Sequence, residues 1–60
     1  MTQSELRDLY WLRLRKETQS SIAKNTGINA SVLSQFKFAK IDLYPHLFEK
    51  LEAYLTSVNS

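Results

Sequence analysis

Apolar residues return every three or four positions along four stretches of this chain, and short polar runs separate the stretches. In the first, Leu6, Leu9, Tyr10 and Leu14, with Leu12 or Arg13 between them, approximate the stripe of an amphipathic helix and predict one over residues 4–15. Thr2 or Ser4 offers its N-cap, and Glu5 and Asp8 stand near its positive end. Arg13, Arg15 and Lys16 sit at its other end, where cations suit the dipole; phosphate contact for one or two of them stays open. A second helix is expected over 19–26, capped by Thr18, with Ile22 and Ala23 facing inward. A third, over 30–38, turns Val32, Leu33 and Phe36 inward. The fourth carries the strongest stripe, Leu47, Phe48, Leu51, Tyr54, Leu55 and Val58, over 45–57. Pro45 opens it, since proline is tolerated in a first helical turn. Ile41 to Tyr44 reads as a loop, and the polar Thr56–Ser60 as a frayed end.

The second and third helices meet at the sole glycine, Gly27. A helix that must stop and turn sharply wants a residue free to take positive φ just past its end. Asn29 then has the side chain of an N-cap, with an oxygen to accept from the N–H of Ser31 or Val32. Ile28, between them, is expected to plug the turn into the core, and Ala23 to leave room for a steep helix crossing. This is the pattern of a helix-turn-helix.

Gln19, Ile22, Ala23, Gly27, Ile28, Leu33 and Phe36 stand at the spacing of the phage-repressor helix-turn-helix family, the Cro/CI or lambda-repressor-like group, which the chain resembles over about residues 4–57. Phe36 to Lys40, then Leu43, Leu47, Leu51 and Leu55, look like that family's third helix, loop and fourth helix. The resemblance implies a compact four-helix all-α domain that binds operator DNA and represses transcription. It implies base-edge contact for Ala30, Ser31, Ser34 and Gln35, with Asn29 at the mouth of the helix. It also implies that Gln19 touches the DNA backbone and braces the reading helix. Apart from the resemblance, Ser20 and Ser21 beside it offer added hydroxyl donors for a phosphate. Ala30 departs from the long polar residue many relatives carry, and would meet a thymine methyl instead. Gln35 has an amide able to pair bidentately with adenine. Lys37 and Lys40 suit phosphates, which position a protein without specifying sequence.

Sixty residues make one domain, spanning 1–60, with a thin core; a chain this short buries only about 60% of its unfolded surface. No cysteine is present, and one histidine gives no metal-ligand cluster, so no metal or cofactor is expected. No apolar run nears the ~18 residues of a membrane span, and no signal peptide is seen, which makes the cytoplasm the expected address. The net charge is only +2. Its distribution matters more: Arg13, Arg15, Lys16, Lys24, Lys37 and Lys40 face Glu17 alone across residues 13–40, whereas Lys50 stands against Asp42, Glu49 and Glu52 in 41–60. The basic excess coincides with the helix-turn-helix, as a DNA-facing surface requires.

Two aromatic residues fit the pattern poorly. Trp11 falls beside the first stripe, either as a half-buried surface residue or as a subunit contact. Phe38 either folds back onto Leu43 and Leu47 as core, or packs on a second subunit, or touches DNA. His46 is assigned no function. No catalytic set or glycine-rich phosphate loop is found, and the chain is not expected to be an enzyme or to take a small-molecule substrate. The expected function is sequence-specific binding of duplex DNA as a homodimer on a pseudo-palindrome, with helix 3 in the major groove. The competing expectation is a protein-interaction module, an antirepressor or antitoxin-like adaptor, that keeps the fold without DNA binding. Modest net charge, Ala30 and Phe38 favour it.

Overall fold

The computed structural model describes residues 1–56, and all regular structure among them is helical. Helices α1 (Gln3–Arg13), α2 (Gln19–Thr26), α3 (Ala30–Lys37) and α4 (Pro45–Thr56) follow in order. Ser57 at the expected end of α4, Val58 of its stripe and the rest of the polar tail lie outside the described residues.

Local chemistry sets the ends. Thr2 rather than Ser4 caps α1: its hydroxyl accepts from the Glu5 N–H at 3.1 Å, and Glu5 accepts from the Thr2 N–H at 2.7 Å. The cap therefore starts the helix at residue 3, one earlier than expected. Its other end comes two residues early. Leu14 is the C-cap, and the N–H groups of Arg15, Lys16 and Glu17 turn back onto Leu12 and Arg13 carbonyls. Thr18 caps α2 as expected, accepting from Ser21 N–H at 3.1 Å.

Gly27 ends α2 at φ 75°, in the left-handed region its position called for. The Thr26 hydroxyl locks the turn by donating to the Ile22 carbonyl at 2.7 Å and accepting from Ile28 N–H at 3.3 Å. Asn29 caps α3 through Ser31 N–H at 2.7 Å. α3 ends at Lys37, one residue before the expected Phe38. Ala39 adopts φ 61°, the Lys40 N–H reaches the Gln35 carbonyl at 2.9 Å, and the Ala39 N–H reaches the Phe36 carbonyl at 3.0 Å. That pairing is a Schellman motif with alanine where glycine is usual.

The core is one cluster: Leu6, Tyr10, Ile22, Ile28, Leu33, Phe36, Leu43 and Leu51. Ala23, Val32, Leu14, Leu47, Phe48, Tyr54 and Leu55 pack around it. Leu12, one of two options for the first stripe, is exposed, and Arg13 takes the inner place. Phe38 does not fold onto Leu43 and Leu47. It stays 59% exposed and packs edge to face on Trp11, ring centroids 6.3 Å apart. The reason is the early stop of α3, which fixes Phe38 at the cap before the chain bends away.

Glu17, the sole acid in the basic half, is a structural hub. Its carboxylate accepts from Ser21 Oγ at 2.6 Å, from Asn25 Nδ2 at 3.2 Å, from Arg13 Nη1 at 3.3 Å and from the Tyr54 hydroxyl, tying α1, α2 and α4 together. These bonds, the Ser21 one foremost and the Tyr54 one next, hold its carboxyl below the usual carboxylate range. No helix among the described residues is long and apolar enough to cross a membrane.

Candidate nucleic-acid interface

α3 turns Leu33 and Phe36 fully into the core. That leaves Asn29, Ala30, Ser31 and Gln35 exposed on the opposite side, with Ser34 half-buried among them. Ser31, Ser34, Gln35 and Phe38 follow the helical spacing that lines up one face. Among the described residues, the side chains of Ser31, Ser34 and Gln35 make no hydrogen bond within the chain. The Asn29 carboxamide oxygen is engaged as a cap, and its Nδ2 remains to donate.

Ser21 is not free as a phosphate donor, because its hydroxyl donates to Glu17 at 2.6 Å. The other expected phosphate contacts divide between the two ends of this face. Gln19 and Ser20 open α2 beside the start of α3, where Gln19 Nε2 lies 3.2 Å from the Ala30 carbonyl. Lys37 and Lys40 lie at the far end, about 12 Å along an eight-residue helix. Lys40 is exposed beyond the Schellman turn. Lys37 is less free: its Nζ stands 5.4 Å from the Trp11 ring centroid and 4.9 Å from that of Phe38.

Both ends of α3 are held from α1 and α2. At the start, the buried Tyr10 hydroxyl donates to Gln19 Oε1 at 3.0 Å, and Gln19 passes the connection on to the Ala30 carbonyl. Gln19 thus ties α2 to the first residue of α3, with Tyr10 behind it. Burial pushes the Tyr10 hydroxyl pKa up to about 12, so it stays a donor across the neutral range. At the other end, Arg7 lies over the Phe36 ring at 4.6 Å. Its Nε donates to the Phe36 carbonyl at 2.6 Å and its Nη2 to the Ile41 carbonyl at 3.3 Å, while Asp42 pairs with it at 3.3 Å. Trp11 Nε1 donates to the Lys37 carbonyl at 3.2 Å. Gln3 clamps the following loop, donating to the Leu43 carbonyl at 3.0 Å and accepting from the Leu43 N–H at 3.1 Å.

Arg7 and Gln3 were not picked out from the sequence. Positions 3, 7, 10 and 14 form one continuous helical stripe, and its two polar members read as surface in a pattern scored by hydrophobicity. The basic excess is also partly internal. Arg13 pairs with Glu17, covers the Tyr54 ring at 5.1 Å and donates to the Leu55 carbonyl at 3.4 Å. Arg15, Lys16, Lys24 and Lys40 remain exposed and make no ion pair among the described residues.

No protein-family model, curated protein or solved structure matches this chain.

Proposed function

We propose that this chain is a sequence-specific double-stranded DNA-binding transcriptional regulator. It would be a small Cro-like repressor of the phage-repressor helix-turn-helix type, acting in the cytoplasm as a binding module and not as an enzyme. One observation supports this reading above the others. α3 is pinned at both ends by groups from other helices, while its outward face carries polar side chains with no internal task. A short helix presented rigidly in this way suits the major groove, which admits one α-helix. Gln35 would read adenine, Ser31 and Ser34 would offer hydroxyls to either partner, Ala30 would pack on a thymine methyl, and Asn29 would donate from the helix mouth. Gln19, Ser20, Lys37 and Lys40 would hold phosphates at the two ends. Two copies on a pseudo-palindrome would supply the contact area one domain lacks.

A second reading, a protein-interaction module, draws support from Phe38, an exposed phenyl ring at the end of the same face. Selection from a randomised duplex library, followed by gel shift across a salt series, separates the two. DNA binding predicts a selected motif, and an affinity that falls steeply with salt as condensed counterions are released. Gln35→Ala should relax preference at one base pair at a cost of about 1–3 kcal/mol, whereas Lys40→Ala should weaken all sequences alike. Failure to bind any duplex at low salt would leave the interaction module as the better reading.

A further inference from the structure

We propose that the outward face of α1 is the contact between two copies of this chain, paired antiparallel about a two-fold axis that passes between Trp11 and Leu12. Trp11 and Leu12 are 45% and 55% exposed, large apolar side chains left on the surface. They line a shallow groove together with Leu14, Asp8 and Arg15. Phe38 lengthens the apolar patch through its edge-to-face contact with Trp11.

The arrangement is self-complementary. Asp8, on α1, and Arg15, in the turn just past the C-cap Leu14, line the same groove and carry opposite charge. Both are exposed, and neither joins the two ion pairs of the described residues, Arg7–Asp42 and Arg13–Glu17. The midpoint between positions 8 and 15 falls between 11 and 12. A two-fold axis there brings each Asp8 to the other copy's Arg15 and each Trp11 to the other copy's Leu12. An isologous contact requires this exchange of partners. A parallel pairing would set like charges together at both ends.

The exposed parts of Trp11, Leu12 and Phe38 fill roughly half of the ~800 Å² per partner that a stable complex buries, so free association is weak and concentration-dependent. The pairing rests on α1 and its neighbours alone and not on the DNA reading. It is measured without DNA, so the two stand or fall separately.

The experiment follows the molar mass of the 60-residue chain from micromolar to millimolar concentration by sedimentation and light scattering. Trp11 is the sole tryptophan, and its emission should move to shorter wavelength as copies associate. Asp8→Arg and Arg15→Asp, each checked for folding by circular dichroism, should each weaken association by about tenfold or more, because both ends of the pair become like-charged. Mixing the two variants should restore it, since every end is then opposite in charge, and so should combining both changes in one chain. Leu12→Ser gives an uncharged check and should also weaken association. The proposal is overturned if the native chain stays monomeric at millimolar concentration, if the single variants or Leu12→Ser associate as strongly as the native chain, or if mixing restores nothing.

Discussion

Gln19→Ala tests whether the amide that opens α2 holds the helix beside it. The change removes the acceptor of the Tyr10 hydroxyl and the donor to the Ala30 carbonyl. Tyr10 is fully buried, so its hydroxyl is left without a protein partner at a cost of about 1–3 kcal/mol; the lost bond at the exposed Ala30 carbonyl adds roughly 0.5 kcal/mol. In a domain of this size that lowers the melting temperature by roughly 4–8 °C per kcal/mol. Tyr10→Phe should cost less, under about 1 kcal/mol, since the half-exposed Gln19 oxygen can turn to water. The double variant should lose less than the sum of the singles by about 1 kcal/mol, as contacting residues do in a double-mutant cycle. Urea melts at neutral pH give the cycle. A series at alkaline pH adds an independent check. Because burial raises the Tyr10 pKa to about 12, its protonated form is favoured in the fold; that contribution is complete below the unfolded value near 10 and is lost as pH rises through 12. Tyr10→Phe should remove this part of the alkaline destabilisation. Strict additivity of the two single changes, or an unchanged melt for Gln19→Ala, would refute the reasoning.

Two further outcomes follow from backbone and charge. Ala39 and Gly27 both occupy the left-handed region, at φ 61° and 75°. Ala39→Gly should raise stability by about 0.5–1 kcal/mol, and Gly27→Ala should lower it by about 1 kcal/mol; a Cβ at 27 meets nothing within 4 Å, so the loss is conformational alone. Thermal melts shifting in the same direction for both would contradict this. The depressed Glu17 pKa adds stability that is present above the unfolded value of about 4.3 and disappears as pH falls through the lower folded value. Glu17→Gln should therefore flatten the acid limb of a stability–pH curve. A shallower slope remains from Glu5, whose carboxyl the Thr2 N–H and hydroxyl also hold low.

The helices and the turn were legible because each rests on a local rule. Gly27 had to be the left-handed residue, Asn29 and Thr18 were caps by residue type, and Ile28 had no polar reason to stay outside. Where two rules competed, the sequence left the choice open. Thr2 won over Ser4 because only Thr2 has a glutamate three residues on to complete the box. The remainder depends on contacts between distant residues. Arg7 meets Phe36, Gln3 meets Leu43 and Trp11 meets the Lys37 carbonyl, and no pattern along α1 announces its partner on α3 or the loop. Glu17 reads in sequence as a lone negative charge; its bonds to Arg13, Ser21 and Asn25 are local, and the one from Tyr54 exists only once α4 folds over it. Ala39 was missed for the opposite reason: alanine signals helix, and the chain places it where glycine would be easier.

The bracing of α3 from outside has a consequence for how such a chain can diverge. Its position is maintained by Arg7, Tyr10, Trp11 and Gln19, none of which belongs to it. Positions 30, 31 and 35 are thus freed from architecture, so under the proposed DNA-binding reading selection on recognition would fall on them and selection on the bracing of α3 on other helices. Under that reading descendants could exchange these three residues and acquire new preferences while melting at nearly the same temperature, without passing through an unfolded ancestor. A combinatorial library at those positions would be rich in folded members, and one drawn across the inner stripe of α1 would not.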